Sequence, residues 1–510
     1  MKLASNLGIP AEGASIIAQS AADASIGDKA LKGSVWMIAA TGAAKLLGFA
    51  CQLALAWFLT KKDYGIYAIA ISLSIFLSVL RDGGLPQILQ QKGSRIDFFA
   101  GPIFWMMLAI NAGTALIIAL IAEPAAAFYG IPELAGVIRL FALTIPLSVV
   151  PSILSVRLIV DLRFRELGLV QVASAVARNL LLLFFAWSGF GARSLLLPVL
   201  VTSLTDSLLL WLMTRYSPWT MPPKFTLWAE LFAGGGWILV GTFSIAIGNN
   251  GSYFLLGKFL PSDLVGTYYF AYQLVVQLGT LLSDNVYQVL IGSFARMGAD
   301  LSRVRATVQR ALNVVVLMGA VASLSIAAIY EPLERVLWHG KWAAASNSVH
   351  ILAVAWPAAA AVSVLRALQM ATGRFRQWGI VTLIGATTSV AGTTLGAYWG
   401  GSPAAAAIGF GLGALLGAVI NAGRALPLVG LSPLRTAFPV LRPWLIIVVS
   451  AACARYVGTL FTRTWMDVIF AACCFCVLGF LGLKLGANDS LQLVEHSLRR
   501  IVQGHRRIAR

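Results

Sequence analysis

The stretch FFAGPIFWMMLAINAGTALIIALIA, Phe98 to Ala122, carries no charged side chain over 25 positions. An α-helix rises about 1.5 Å per residue, so a run of this length crosses the roughly 30 Å hydrocarbon core of a bilayer. Its unbroken apolar character selects a helix, because barrel strands show shorter segments of alternating polarity. Outward from it the pattern recurs on both sides. Before it lie Ser34 to Leu59 and Ile66 to Leu89; after it come Leu134 to Leu158, Leu167 to Trp187 and Leu195 to Thr214. Trp228 to Phe259, Leu264 to Phe294, Ala306 to Ile329 and Ser348 to Met370 follow. Trp378 to Tyr398, Pro403 to Ala422, Val440 to Leu460 and Val468 to Leu485 complete the series. With 59% of 510 residues hydrophobic and 11% charged, a water-soluble globule is excluded. The expected fold is an all-α polytopic membrane protein of about 14 transmembrane helices. The seventh and eighth spans exceed the required length, so they tilt, kink or project.

The short loops set the orientation. Lys92, Arg95, Arg163, Arg165, Arg296, Arg303, Arg305, Arg374, Arg376, Arg424 and Arg435 all fall on the side of the N-terminus. By the positive-inside rule both termini are cytoplasmic. The net charge of +18 follows from this bias together with attraction to anionic inner-leaflet lipids, and requires no nucleic acid. Residues 1–33 read as a cytoplasmic tail without an apolar core for a cleavable signal. Residues 486–510 read as a basic cytoplasmic tail whose apolar spacing suits a helix lying on the inner leaflet. Cys51, Cys453, Cys473, Cys474 and Cys476 all sit in spans as small apolar packing residues, and the four histidines are too dispersed for a metal site.

The chain repeats itself. At a shift of 201 residues Gly33 falls on Gly234, Trp36 on Trp237, Phe58-Leu59 on Phe259-Leu260, Gly65 on Gly266 and Tyr67 on Tyr268. Between Gly33 and Arg81, 12 of 49 positions are identical. Arg163-Phe164-Arg165 echoes in Arg374-Phe375-Arg376 at a shift of 211. Spans one and seven start on the same face, so the repeat is parallel. The expected organisation is a six-helix lobe over 34–214, a second over 228–422 and an accessory pair over 440–485, with alternating access by rocking around a site between the lobes. The last pair either packs as a hairpin or shapes a lipid-facing groove.

Charges within spans are costly and face a wet cavity or a partner. Lys45, Arg178 and Asp206 lie near mid-span; Arg81, Asp82, Asp284 and Arg366 lie toward the cytoplasmic side; Arg139 and Arg455 are close enough to the outer ends to snorkel. Cations exceed carboxylates, so a cavity lined by Lys45, Arg81, Arg178 and Arg366 attracts an anion, and guanidinium forks match phosphate or carboxylate oxygens. The competing account is internal pairing, for instance Arg81 with Asp284, which would serve packing alone. Asp82-Gly83-Gly84-Leu85-Pro86 interrupts the second span and marks a hinge at Gly83, Gly84 and Pro86. Gly248-Asn249-Asn250-Gly251-Ser252 is a second polar interruption, suited to a cavity wall or to interhelical hydrogen bonds.

Several of these segments resemble the prokaryotic polysaccharide exporters, the Wzx-type flippases of the multidrug/oligosaccharidyl-lipid/polysaccharide (MOP) superfamily. Ala30-Leu31-Lys32-Gly33-Ser34-Val35-Trp36 and Phe58-Leu59-Thr60-Lys61-Lys62-Asp63-Tyr64-Gly65-Ile66-Tyr67 resemble the family's first helix and loop. Arg81-Asp82-Gly83-Gly84-Leu85-Pro86-Gln87 is similar to the ending of its second helix. Leu162-Arg163-Phe164-Arg165 and Gly189-Phe190-Gly191-Ala192-Arg193-Ser194-Leu195 resemble the stretch joining its middle helices. The second lysine, Lys62, stands where relatives often carry an acid.

The resemblance implies a transporter moving a polyprenyl-diphosphate-linked oligosaccharide to the outer leaflet for exopolysaccharide, capsule or O-antigen synthesis, alongside a polysaccharide polymerase and co-polymerase. It implies no enzyme and no cofactor beyond H+ or Na+ coupling, for which Asp82, Asp206 and Asp284 are the available carboxylates. No GxxxxGK[ST] sequence is present for ATP hydrolysis. A lipid II flippase and a multidrug antiporter share the fold class; cationic drugs favour carboxylate-rich cavities, which argues against the latter. A membrane glycosyltransferase or polymerase would need a large catalytic outer loop, and the outer connections hold only groups such as Glu123 and Glu133, or Glu331, Glu334, Arg335, His339 and Lys341. The glycan, the pathway and the coupling ion are not encoded in any motif found.

Overall fold

The computed structural model describes residues 42–82, 85–91, 95–228, 236–297, 300–459, 465–487, 489 and 492. The first expected tail, the second apart from Gly486, Ala487, Asp489 and Gln492, and Gly83 and Gly84 lie outside the described residues. The first half comprises α1 (Gly42–Phe58), α2 (Lys61–Asp82), α3 (Leu85–Gln91), α4 (Ile96–Tyr129), α5 (Pro132–Leu147), α6 (Val149–Val160), α7 (Phe164–Trp187) and α8 (Leu197–Thr214). The second comprises α9 (Gly236–Phe259), α10 (Ser262–Met297), α11 (Leu301–Leu337), α12 (Ser346–Ala371), α13 (Phe375–Gly400) and α14 (Pro403–Ala425), and α15 (Pro433–Thr459) and α16 (Trp465–Gly486) follow. Among the described residues there is no strand, and ten helical segments are long and apolar enough to cross a membrane.

Over the described residues each expected span coincides with a helix. In the second span α2 is described to Asp82 and α3 from Leu85, with Pro86 in α3. The fourth span divides at Ser148 into α5 and α6. Pro151 explains this break: its ring removes the N–H that would bond the Leu147 carbonyl, and α5 stops at Leu147. α4, α10 and α11, of 34, 36 and 37 residues, are longer than a crossing needs. Glu331, Glu334 and Arg335, expected in an outer connection, belong to the last turns of α11.

The packing is that of a membrane bundle. Large apolar side chains such as Leu120, Leu180, Trp187, Trp399, Leu412 and Phe480 are exposed on the outside, while Asn111, Asn179, Thr202, Ser323 and Asn421 are buried. Helices in lipid associate through close packing and hydrogen bonds instead of water exclusion, so small residues collect at their contacts. The seam between α13 and α14 shows this: a Cβ at Gly409 would fall 1.9 Å from the Gly392 carbonyl oxygen, and one at Gly413 would fall 2.2 Å from that of Thr388.

Helix boundaries reproduce the repeat. α1 and α9 end at Phe58 and Phe259, and α2 and α10 begin at Lys61 and Ser262, all at an offset of 201. α6 and α12 end at Val160 and Ala371, α7 and α13 begin at Phe164 and Phe375, and α8 and α14 end at Thr214 and Ala425, all at 211. Near the starts of α2 and α10 the halves are sealed by a buried aromatic cluster. Tyr64 meets Trp342 edge-on at 5.3 Å and lies 6.0 Å from Tyr269, and Phe270 stacks on Trp342 at 4.1 Å.

The connection between α11 and α12 closes the same end by capping α1. A helix leaves its last four carbonyls without intrahelical partners. Here the Trp342 indole donates to the Ala56 carbonyl at 3.0 Å and Lys341 Nζ to those of Ala56 and Trp57 at 3.0 and 2.8 Å, while the Trp338 indole reaches the Leu53 carbonyl, further inside the helix, at 3.1 Å. Trp57 returns an indole N–H to the Leu337 carbonyl. Partial burial holds the Lys341 ammonium below the usual lysine pKa.

Candidate functional site: paired cavities inside the bundle

The described intramembrane charges converge on two cavities. The first, of about 410 Å³, is walled by α1, α6, α7, α8 and one residue of α10. Lys45 enters from α1, Arg178 from α7 and Asp206 from α8. Gln171, Ser174 and Arg178 stand at i, i+3 and i+7, the spacing that places side chains on one helix face. Ser174 Oγ donates to Asp206 Oδ1, and the charge of Arg178 reaches Asp206, Cys51 and Tyr67. α1 is tied to α7 by the Cys51 thiol on the Asn179 carbonyl at 3.5 Å, and Gly48 leaves room for the Gln277 amide. Lys45 stands thirteen residues from the sealed end of α1, about 20 Å along the helix, which is bilayer depth. Two cations and one carboxylate thus line one cavity.

Arg366 does not join them. It lines a second cavity of about 230 Å³, walled by α9, α10, α12, α13 and α14, with its guanidinium over the Tyr287 ring at 5.7 Å. Asn249 from the polar interruption of the seventh span lines the same cavity, as do Ser389 and Asn421. The Gln369 amide donates to Asn421 Oδ1 at 3.2 Å. Arg81 and Asp82 close α2, and Asp284 lies in α10; the side chains of these three are outside the described residues.

The two cavities occupy equivalent places in the repeat. At the offset of 201, Gly48 falls on Asn249; at 211, Ser155 falls on Arg366, Arg178 on Ser389, Asp206 on Gly417 and Leu210 on Asn421, and every one of these residues lines its own cavity. The neutral members Gln171, Ser174, Gln277 and Asn421 escaped a reading keyed to charge. Extending the shift of 211 from Arg163-Phe164-Arg165 into the following helices would have found the equivalences.

An ion cluster and a groove complete the polar and apolar features of the second half. Arg455 of α15 pairs with Glu331 of α11 at 2.9 Å; Glu331 also accepts from Ser346 Oγ at 2.8 Å and lies 3.5 Å from His350 Nε2. Arg455, near enough to the outer end to snorkel, ties α15 to α11. Arg139 instead meets the exposed Glu123 at 2.7 Å. Between α11, α12, α14 and α15 runs an almost wholly apolar groove of about 450 Å³, lined by Val316, Ile351, Leu412, Leu415, Val440 and Trp444 among others.

Comparison with known proteins follows the same lines. The profile of the polysaccharide biosynthesis protein family matches residues 54–347. The succinoglycan biosynthesis transport protein ExoT of Rhizobium meliloti is 24% identical over 345 residues, covering 66% of this chain and 69% of that protein. The lipid II flippase MurJ in an inward closed conformation superposes with a TM-score of 0.68 at 12% identity, over 88% of this chain and 99% of that one. An inward-facing multidrug resistance MATE family transporter of the MOP superfamily gives 0.59 at 13% identity, over 74% and 92%. These likenesses are likenesses of fold, whereas the family match takes in more than half of the chain, so the protein belongs to the polysaccharide biosynthesis protein family, on the fold of the MOP-superfamily transporters.

Proposed function

We propose that the protein flips a polyprenyl-diphosphate-linked oligosaccharide from the inner to the outer leaflet of the bacterial inner membrane, supplying exopolysaccharide, capsule or O-antigen synthesis. The observation that carries this reading is the first cavity: Lys45 and Arg178 brought together at bilayer depth with Asp206 beside them. A diphosphate is the anion such a pair suits, and its guanidinium member forms charge-assisted hydrogen bonds with phosphate oxygens. With both termini cytoplasmic, the aromatic seal and the capped end of α1 face the periplasm, which makes this an inward-facing state. The lipid tail would lie along the apolar groove beside α15, in contact with the bilayer. Asp206, held by Ser174, is the carboxylate best placed to couple transport to H+ or Na+. The relative ExoT, named a succinoglycan biosynthesis transport protein, fits the same cargo class.

The test is a deletion strain scored for surface polysaccharide and for the leaflet distribution of its lipid-linked oligosaccharide. Loss of polymer with precursor held on the cytoplasmic leaflet, rescued by the intact gene and not by Arg178→Gln at equal protein level, is the expected result. Normal polymer in the deletion strain would overturn the reading.

A further inference from the structure

The repeat supplies two equivalent cavities whose linings have diverged. Where the first carries Arg178 and Asp206, the second carries Ser389 and Gly417; where the first carries Gly48 and Leu210, the second carries Asn249 and Asn421; and Ser155 of the first stands opposite Arg366 of the second. At these positions the second cavity keeps one cation and gains two amides and a hydroxyl. We propose that the second cavity is a saccharide subsite, which receives the sugar adjoining the diphosphate while Lys45 and Arg178 hold the diphosphate itself; this rests on the export reading above.

Sugar hydroxyls both donate and accept, and amides and hydroxyls are the side chains that return both roles from one group. Their C–H faces pack on aromatic rings, and Tyr272, Trp356 and Phe410 line this cavity. Among the described residues that line it there is no Asp or Glu, and the cation among them, Arg366, lies over the Tyr287 ring, in contrast to the Lys45 and Arg178 pair across the bundle. A site built to hydrogen-bond hydroxyls discriminates strongly against a ligand that lacks them, because its polar groups are then left unpaired. The asymmetry between the cavities thus gives the ligand a direction, diphosphate in the first half and glycan in the second.

The test uses the full-length protein in lipid nanodiscs. Its probes are farnesyl diphosphate and farnesyl diphosphate carrying glucose, galactose or N-acetylglucosamine. The unaltered protein should bind at least one sugar-bearing probe more tightly than the bare diphosphate. Asn249→Ala combined with Ser389→Ala should weaken that probe about tenfold and leave farnesyl diphosphate unchanged, whereas Arg178→Gln should weaken both. Asn249 is exposed to the cavity, and Asn249→Gln serves as a second variant that keeps an amide but displaces it. Equal loss for both kinds of probe, no loss in the double variant, or no gain from any of the three sugars would overturn the subsite alone. Failure of the unaltered protein to bind any probe would remove the export reading and the subsite together.

Discussion

Gly65 and Gly266 each press against the first residue of the other's helix. A Cβ at Gly65 would fall 1.9 Å from the Ser262 carbonyl oxygen, and one at Gly266 would fall 1.8 Å from that of Lys61. Lys61 and Ser262 begin α2 and α10, and both pairs are separated by the repeat offset of 201. Two crossed contacts of this kind place a local two-fold between the halves at the sealed face. Gly65→Val and Gly266→Val should each destabilise the protein by about 1–3 kcal/mol through overpacking, read as a lowered Tm in detergent. An unchanged Tm in both would mean that the backbones do not meet there.

The capping of α1 by a distant connection makes a second prediction. Lys341→Met removes a charged donor from two carbonyls, a loss of about 1.5–3 kcal/mol, and Trp342→Phe removes a neutral one, about 1 kcal/mol. Hydrogen exchange at the last turn of α1 should accelerate in both variants, more in the first. Exchange that speeds up throughout the protein to the same degree would point to general destabilisation instead.

In the first cavity, charge and coupling should separate. Arg178→Lys should retain part of the flipping activity and Arg178→Gln should lose it at least about tenfold, since a lysine keeps the charge without the fork. Asp206→Asn, by contrast, should bind a prenyl diphosphate normally while losing the response of flipping to an imposed pH or Na+ gradient in proteoliposomes. A preserved gradient response would exclude Asp206 as the coupling carboxylate.

Glu331 and Arg455 hold α15 on α11, and a double-mutant cycle measures how firmly. Glu331→Ala should cost about 1–3 kcal/mol, a range reduced from that of a fully buried pair because Arg455 is 41% exposed. Arg455→Ala in the Glu331→Ala background should then add little. Additive losses would mean that the two side chains act apart.

The spans were legible because a bilayer enforces one rule on every helix it contains, and the sequence from Phe98 to Ala122 obeys it without exception. The break at Ser148 was not legible, because a single proline, Pro151, acts there on the carbonyl four residues earlier. Lys45, Arg178 and Asp206 announced themselves by the cost of charge in lipid. Nothing comparable marks Gln171, Ser174 or Asn421, whose neutral side chains are tolerated anywhere in a bundle, and the grouping of Arg366 away from the other cations depends on which half of the repeat each helix joins. The pairing of Arg455 with Glu331 was hidden because it spans 124 positions of sequence and requires α15 to return to α11.

The backbone seam of α13 and α14 bears on how such a bundle would move. Gly392 and Gly409 bring two carbonyl-bearing backbones within reach of one another, with no side chain between them whose rotamer change would let the helices slide. The equivalent helices of the first half, α7 and α8, are less closely packed. Sliding at the α13–α14 seam would have to move backbone past backbone, a constraint that the looser contact beside Arg178 and Asp206 does not impose.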